Sequence, residues 1–337
     1  MVKTILLAVL CCGLVPAQNS SNAAARIVAS ANSFLSSLDE GQRTKVMFEF
    51  NDAAQRVKWS NLPTTMVPRA GLKMGDLSAP QKKAAMELLA SALSKRGYEK
   101  VLQIVEGDET LKTQDGGRGR GGAPMFGRDL FYISILGKPA ANDPWMLQFG
   151  GHHLALNITM VGREGILTPS LTAAQPAKYT VDGKTVRPLG AENDKAFALI
   201  NALDEGQRKR AILNYKVADL VLGPGKDGKT IQPEGLQCSG MNASQQAMLL
   251  DLVGEWAGII HEQAAAARMA EIKANISATW FAWSGPTTNG TPAYYRIQGP
   301  TLVIEYAPQP LGGDPTMHIH TIYRDPTNDY GKKSAGH

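Results

Sequence analysis

Apolar positions along the chain follow two rhythms, and the switch between them divides it. From about Ala24 to Ser37, Ile27, Phe34 and Leu35, with Leu38 just beyond, fall at the spacing of one helix face. A second helical run is predicted over Thr44 to Ala54, and a third, amphipathic one opens at Leu77-Ser78-Ala79-Pro80-Gln81 with Met86, Leu88, Leu89 and Leu93. Then the period shortens. Strands are predicted at Leu130–Leu136, Trp145–Phe149 and His152–Thr159, with Gly150-Gly151 marking a turn.

The same order returns. Helical runs at Lys195 to Ala202 and Lys209 to Leu220 precede a helix opened by Met241-Asn242-Ala243-Ser244-Gln245, with Met248, Leu249, Leu250, Leu252 and Val253. Strands follow at Thr279–Ser284, Ala293–Ile297 and Thr301–Tyr306, turning at Gln298-Gly299-Pro300. One phrase is repeated word for word: Leu38-Asp39-Glu40-Gly41-Gln42-Arg43 and Leu203-Asp204-Glu205-Gly206-Gln207-Arg208. Its acids belong to a first helical turn, where negative charge complements exposed amides, rather than to paired catalytic carboxylates. Ser78 and Asn242 suit N-caps, and Pro80 a first turn. The expectation is an α+β protein of two tandem repeats, each made of helices followed by an antiparallel β-meander, packed about a pseudo-two-fold. Residues 18–190 would form the first half and 191–337 the second, in one integrated domain.

The first seventeen residues stand outside this scheme. Met1-Val2-Lys3 is a short basic start and Thr4 to Leu14 an apolar run too short to span a bilayer; Val15-Pro16-Ala17 offers a cleavage site. An exported chain is expected, periplasmic or extracellular, mature from about Gln18 and with no transmembrane span. A lipoprotein fits less well, because Leu10 rather than a small residue precedes Cys11. Removing the segment takes Cys11 and Cys12 and leaves Cys238 alone, so no intrachain disulfide is available. Among 337 residues, 43% apolar and 19% charged composition is globular, and a net charge of +5 singles out no anionic partner. The Arg-Gly tract Gly116 to Gly122 lacks interleaved aromatics, so it reads as a loop, possible as a lid over a site, and not as a nucleic-acid module.

Candidate chemistry concentrates near the C-terminus. In Met317-His318-Ile319-His320-Thr321-Ile322-Tyr323-Arg324, a strand places His318 and His320 on one face, and paired imidazoles are half of a transition-metal site. In Gly150-Gly151-His152-His153-Leu154, strand parity puts His153 with Asn157 on a polar face and His152 with Leu154 on an apolar one. Aligning the halves sets Asn157 opposite Glu305, a lone carboxylate in the apolar strand Leu302-Val303-Ile304-Glu305-Tyr306. A buried carboxylate requires a partner. Glu305 is therefore either a ligand or general base, or the partner of Arg296 in a salt bridge. The combined set is His318, His320 and Glu305, with His153 as a fourth ligand or a base. It is the pattern of a catalytic zinc or non-haem iron centre, with copper also compatible. Asp325 and Asp329 lie in a turn-forming stretch with Arg324; they either support the histidines from behind or hold the turn. His261, beside Glu262 in a long helix, reads as a surface residue.

The strings Gly151-His152-His153-Leu154, Tyr294-Tyr295-Arg296-Ile297-Gln298-Gly299-Pro300, Ile304-Glu305-Tyr306, His318-Ile319-His320, Arg324-Asp325-Pro326 and Asn328-Asp329-Tyr330-Gly331 resemble a bacterial family catalogued only as a domain of unknown function (DUF3500). The resemblance spans nearly all of the mature chain. It implies an exported or membrane-associated single-family domain and carries no settled activity. The Arg-Gly-rich loop and the short basic C-terminus depart from the family pattern. On the residues, the expectation is metal-dependent catalysis, hydrolytic or oxidative, on a small molecule. The alternative is a periplasmic metal- or solute-binding protein, and a purely structural envelope protein would leave the histidines solvated.

Overall fold

The computed structural model describes residues 18–113, 122, 124–311 and 313–335. The N-terminal segment through Ala17, most of the Arg-Gly tract and the terminal His337 lie outside the described residues. The first elements are α1 (Gln18–Ser36), α2 (Glu40–Val46), β1 (Met47–Phe48), α3 (Ala53–Arg56), β2 (Leu72–Lys73), α4 (Ala79–Ala92) and α5 (Lys95–Lys112). Strands β3 (Tyr132–Leu136), β4 (Trp145–Gly150), β5 (Leu154–Val161), β6 (Glu164–Ile166), β7 (Ser170–Ala174), β8 (Tyr179–Val181) and β9 (Lys184–Val186) follow. Next come α6 (Gly190–Ala202), α7 (Glu205–Ala211), β10 (Leu236–Gln237), α8 (Ala243–Ala257) and α9 (Glu262–Ala274). The chain closes with β11 (Trp280–Ser284), β12 (Tyr294–Gly299), β13 (Leu302–Pro308) and β14 (Ile319–Arg324).

The fold is α+β, built on a large and mostly antiparallel sheet. Its strand order is β1-β3-β4-β5-β7-β14-β13-β12-β11-β10, with β2 on β3 and β6 on β5; β1 pairs in parallel with β3, and a single parallel bridge joins Ile212 to Trp283. Alternation along the strands decides what each face meets. Leu154, Leu156 and Ile158 pack into a core with α1, α4 and α5, while Tyr295, Ile297, Ile304 and Tyr306 pack with α6 and α8. The other face carries Ala155, Leu171, Ala173 and Ile322, covered by Trp59 and Leu220 from two long connections, residues 57–71 and 213–235. Among the described residues no helix is long and apolar enough to cross a membrane.

Local chemistry explains several boundaries. Asp39 and Asp204 cap α2 and α7 in reciprocal boxes with Gln42 and Gln207. The helical runs predicted over Thr44–Ala54 and Lys209–Leu220 stop early, at Val46 and Ala211. In both places the sheet takes the backbone instead. Met47 and Phe48 join β3, and the Leu213 amide bonds the Trp283 carbonyl at 2.7 Å. Two histidine predictions also change. The strand predicted from His152 begins at Leu154, because His153 has φ +61° and breaks the pleat. His261 is not a surface residue: it is the N-cap position of α9, 3% exposed, and burial lowers its pKa.

Gly71 and Gly235, just before β2 and β10, have φ of +95° and +93°. A Cβ on either would stand 2.3 Å from a backbone oxygen, Ile133 O or Phe281 O. Gly235→Ala should therefore lower stability by on the order of 2 kcal/mol or more in urea unfolding. An unchanged midpoint would show that this close approach is not required.

Candidate metal centre

Three imidazoles meet at the middle of the sheet's loop-covered face. His318 and His320 project from β14 and its approach, one pleat apart. His153 arrives from the bend before β5, and its carbonyl accepts from the Ala173 amide at 2.8 Å. Since His320 is paired with Ala173 across the β7–β14 ladder, the register itself brings the three rings together. Nε2 of His318 lies 3.1 Å from Nε2 of His153 and 3.1 Å from Nε2 of His320. Candidate ligand atoms of all three lie within 4.8 Å of one another, and all three residues are buried.

The outward nitrogens set the tautomers. Nδ1 of His318 is 2.7 Å from the Leu311 carbonyl, which can only accept, so Nδ1 carries the hydrogen and Nε2 presents a lone pair. Nδ1 of His320 meets Asp219 Oδ1 at 3.3 Å, with the same consequence. Asp219 also accepts from the Gln309 side chain at 2.8 Å and from the Leu220 amide at 2.7 Å. Burial raises its pKa, but the His320 hydrogen bond and these donors outweigh that and hold it below the usual value. The Asn61 amide lies over the His320 ring, 3.3 and 3.4 Å from its two nitrogens.

Burial also decides the charge of the rings. It drives the His153 pKa well below the ordinary value, assisted by the neighbouring histidines, and brings His318 to about 4 despite the Leu311 bond. These rings are neutral at pH 7, the form that ligates metals. His152 stands behind them, stacked on His153 at 3.6 Å between centroids and bonded through Nδ1 to Asp108 at 2.6 Å. Asp108 is fixed in turn by the Gly127 amide. Arg69 ties Gly151 to the carbonyls of Ser60 and Leu62, which holds the first connection against this bend.

Other residues expected at the site lie elsewhere. Glu305 is outside the cluster: its two oxygens accept from the Val221 and Leu222 amides at 2.9 and 2.7 Å and from the Tyr294 hydroxyl at 2.6 Å. Both Glu305 oxygens are thus held by donors of the second connection and of Tyr294, and neither joins the three imidazoles. Its expected roles as ligand and base give way to that of a loop clamp. Arg296 pairs with Glu234 at 2.7 Å rather than with Glu305. Arg324 donates to the carbonyls of Leu222 and Gly223 and meets Asp329 at 3.0 Å. Asp329 accepts from the Asp325 amide, and Asp325 pairs with Arg268, so both acids hold the closing turn. Asn157 joins Gln148 and the Pro169 carbonyl, under the first connection.

Sequence reasoning missed Asp219 and Asp108. Each carried a signal. Asp219 interrupts the apolar run Val217 to Leu222, as Glu305 interrupts its strand, and Asp108 interrupts the buried stripe Ile104 and Leu111 on α5.

Residues 20–332 match the family described as "Protein of unknown function (DUF3500)". The chain belongs to this family. No curated protein and no solved structure matches it. The family description assigns no chemistry, so the residues must supply it.

The clamp gives a direct expectation. Glu305→Gln removes one strong acceptor and leaves a buried amide short of a partner, which should cost about 1–3 kcal/mol. Hydrogen exchange at Val221 and Leu222 should accelerate together with that loss; unchanged protection would show that the clamp is not what holds this connection.

Proposed function

We propose that this protein is an exported metalloprotein in which His153, His318 and His320 hold a divalent transition metal through Nε2. The observation that carries the reading is the convergence of these nitrogens with the Nδ1 hydrogens of His318 and His320 committed elsewhere. A proton on Nε2 of His153 would satisfy the His318 lone pair and leave that of His320 to the long contact with the Asn61 amide at 3.4 Å. A cation between them relieves both. Two nitrogens each ~2.0–2.1 Å from a tetrahedral metal lie about 3.3 Å apart, close to the 3.1 Å between His318 and each of the other two rings, with all three ligand atoms within 4.8 Å of one another. Three imidazoles with further positions open is a zinc or copper donor set more than an iron one, which favours a carboxylate among its ligands.

The use that fits best is metal-dependent catalysis on a small molecule, and a three-imidazole set favours hydrolysis over oxidation. A bound zinc would supply a water acidic enough to ionise near neutral pH. The chain's own part is to orient His318 through the Leu311 carbonyl and His320 through Asp219. Asp219 has a side chain 54% exposed, so this wall of the site faces solvent. The basic-apolar start of the chain supports export. Tandem duplication with a pseudo-two-fold is part of the same proposal. Support for it comes from the twin capping boxes, the matching Gly71 and Gly235, and a strand order that reads alike inward from both edges.

Protein recovered from an exported fraction should contain about one equivalent of zinc or copper by elemental analysis. His318→Ala and His320→Ala should each bring this to background with the circular dichroism spectrum kept, whereas Glu305→Gln should retain the metal. Full metal content in both histidine variants would end the metal reading. A metal held without an exchangeable water, as judged by relaxation of the solvent signal in a paramagnetic substitution, would make the protein a carrier instead.

A further inference from the structure

A cavity of about 550 Å³ lies on the same face of the sheet as the imidazoles, two strands along from His320. The strand register places it. His320 pairs with Ala307 and Tyr306 with Tyr295, so the next step of the ladder sets Tyr294 opposite Ala307, and Tyr294 pairs with Ser284. The row runs His320, Ala307, Tyr294, Ser284. At about 4.8 Å per strand, Tyr294 stands ~10 Å from His320. Tyr294 and Ser284 line the cavity, as does Ala218, the residue before Asp219. Pro308 and Pro310 line it too, on either side of the Gln309 whose side chain bonds Asp219. The residue that orients His320 is thus one step along the chain from the cavity wall.

The walls are rigid and flat. Tyr215 is 46% exposed, yet its hydroxyl bonds Glu234 at 2.6 Å, and Glu234 is held by Arg296. The Tyr294 hydroxyl is committed to Glu305. Tyr215 therefore offers its ring and not its polar end, Tyr294, 2% exposed, only closes the floor, and proline rings supply much of the remaining surface. Flat walls fixed in advance favour a ring-shaped guest, because little side-chain freedom is lost when it binds. One charge has no use within the fold: Lys216, exposed at this cavity, has neither an ion-pair nor a hydrogen-bond partner among the described residues. The volume suits a small organic molecule.

We propose that this cavity takes a ring compound bearing a carboxylate, its ring against Tyr215 and the prolines and its acid at Lys216, as the substrate of the imidazole site. Its role as substrate rests on the metal reading above; the cavity and its preference do not.

Calorimetry on the full mature chain, with benzoate and benzylamine as probes, separates the two. Benzoate should bind with a Kd of about 1 mM or tighter and benzylamine at least tenfold more weakly. Lys216→Met should weaken benzoate tenfold or more, Ala218→Trp should abolish binding by filling the space, and His318→Ala should leave the affinity within about twofold. No benzoate binding, a preference for benzylamine, or an affinity indifferent to Lys216→Met would overturn the site. Loss of benzoate binding in His318→Ala would also overturn it, by placing the acid on the histidines. In cobalt-loaded protein, the nearby paramagnetic ion should shift and broaden the proton magnetic-resonance signals of bound benzoate. Cobalt bound with no such shift would overturn the substrate role. Failure to bind cobalt, with benzoate binding intact in the calorimeter, would sink the metal reading alone.

Discussion

The β7–β14 ladder is the constraint on which the rest depends. It joins strands that end more than a hundred residues apart, in five registered pairs from Ile319 with Ala174 to Tyr323 with Ser170. Small residues make it possible: Ala173 and Ala174 leave room beside His320 and Ile319, where larger side chains would compete for the same face. On the helix-covered side the Thr172 and Thr321 hydroxyls bond each other at 2.8 Å, and Trp256 donates to Thr321 at 2.9 Å. A slip of one residue would turn His318 and His320 toward the helices and bring Thr321 to the loops. The cluster is thus a property of register before it is a property of histidines.

Charge is distributed around the cluster in a way that follows from burial. His153 and His318, kept neutral by burial, occupy the middle, and carboxylates touch only outward nitrogens: Asp219 on His320, Asp108 on His152. A carboxylate among the three Nε2 atoms would have to be desolvated against lone pairs of the same polarity, a cost that only a metal or protons could offset. Glu305 shares a strand face with Ala307, the partner of His320, and is drawn the other way by two amides and a phenol. A bidentate acceptor satisfied by three donors gains little by turning toward a metal.

Legibility in the sequence tracked the range of the interactions involved. Helix caps were readable because Asp39 with Gln42 and Asp204 with Gln207 act over three residues. His318 and His320 were readable because strand parity is local. His153 joins the cluster by a route that parity did not foresee: the argument assumed a strand, and the ring instead arrives from a left-handed bend. Glu305 marked a buried, partnered carboxylate, but its partners lie 83 and 84 residues away on a segment with no secondary structure. The run Lys209 to Leu220 has helical spacing, yet the sheet edge captures its backbone at Ile212 and Leu213. Nothing in a linear pattern reports such a competitor. His261 failed similarly, since its neighbours Glu262 and Gln263 look solvated while the ring itself is covered.

Access to the cluster follows from how its cover is fastened. Asn61 and Asp219, one from each long connection, both reach His320. Trp59 of the first connection donates to the Tyr330 hydroxyl, which donates to Asp227 of the second, and Arg324 lies 5.5 Å above the Trp59 ring. Glu305 takes the amides of Val221 and Leu222 while Arg324 takes the carbonyls of Leu222 and Gly223, so one short stretch is gripped from both polarities by buried charged groups. Lifting that stretch would strip two desolvated ions of their partners at once, which costs several kcal/mol. The connections are therefore walls and not lids. What remains open is the flank where Asp219 meets solvent, and the cavity beside it lies on that side.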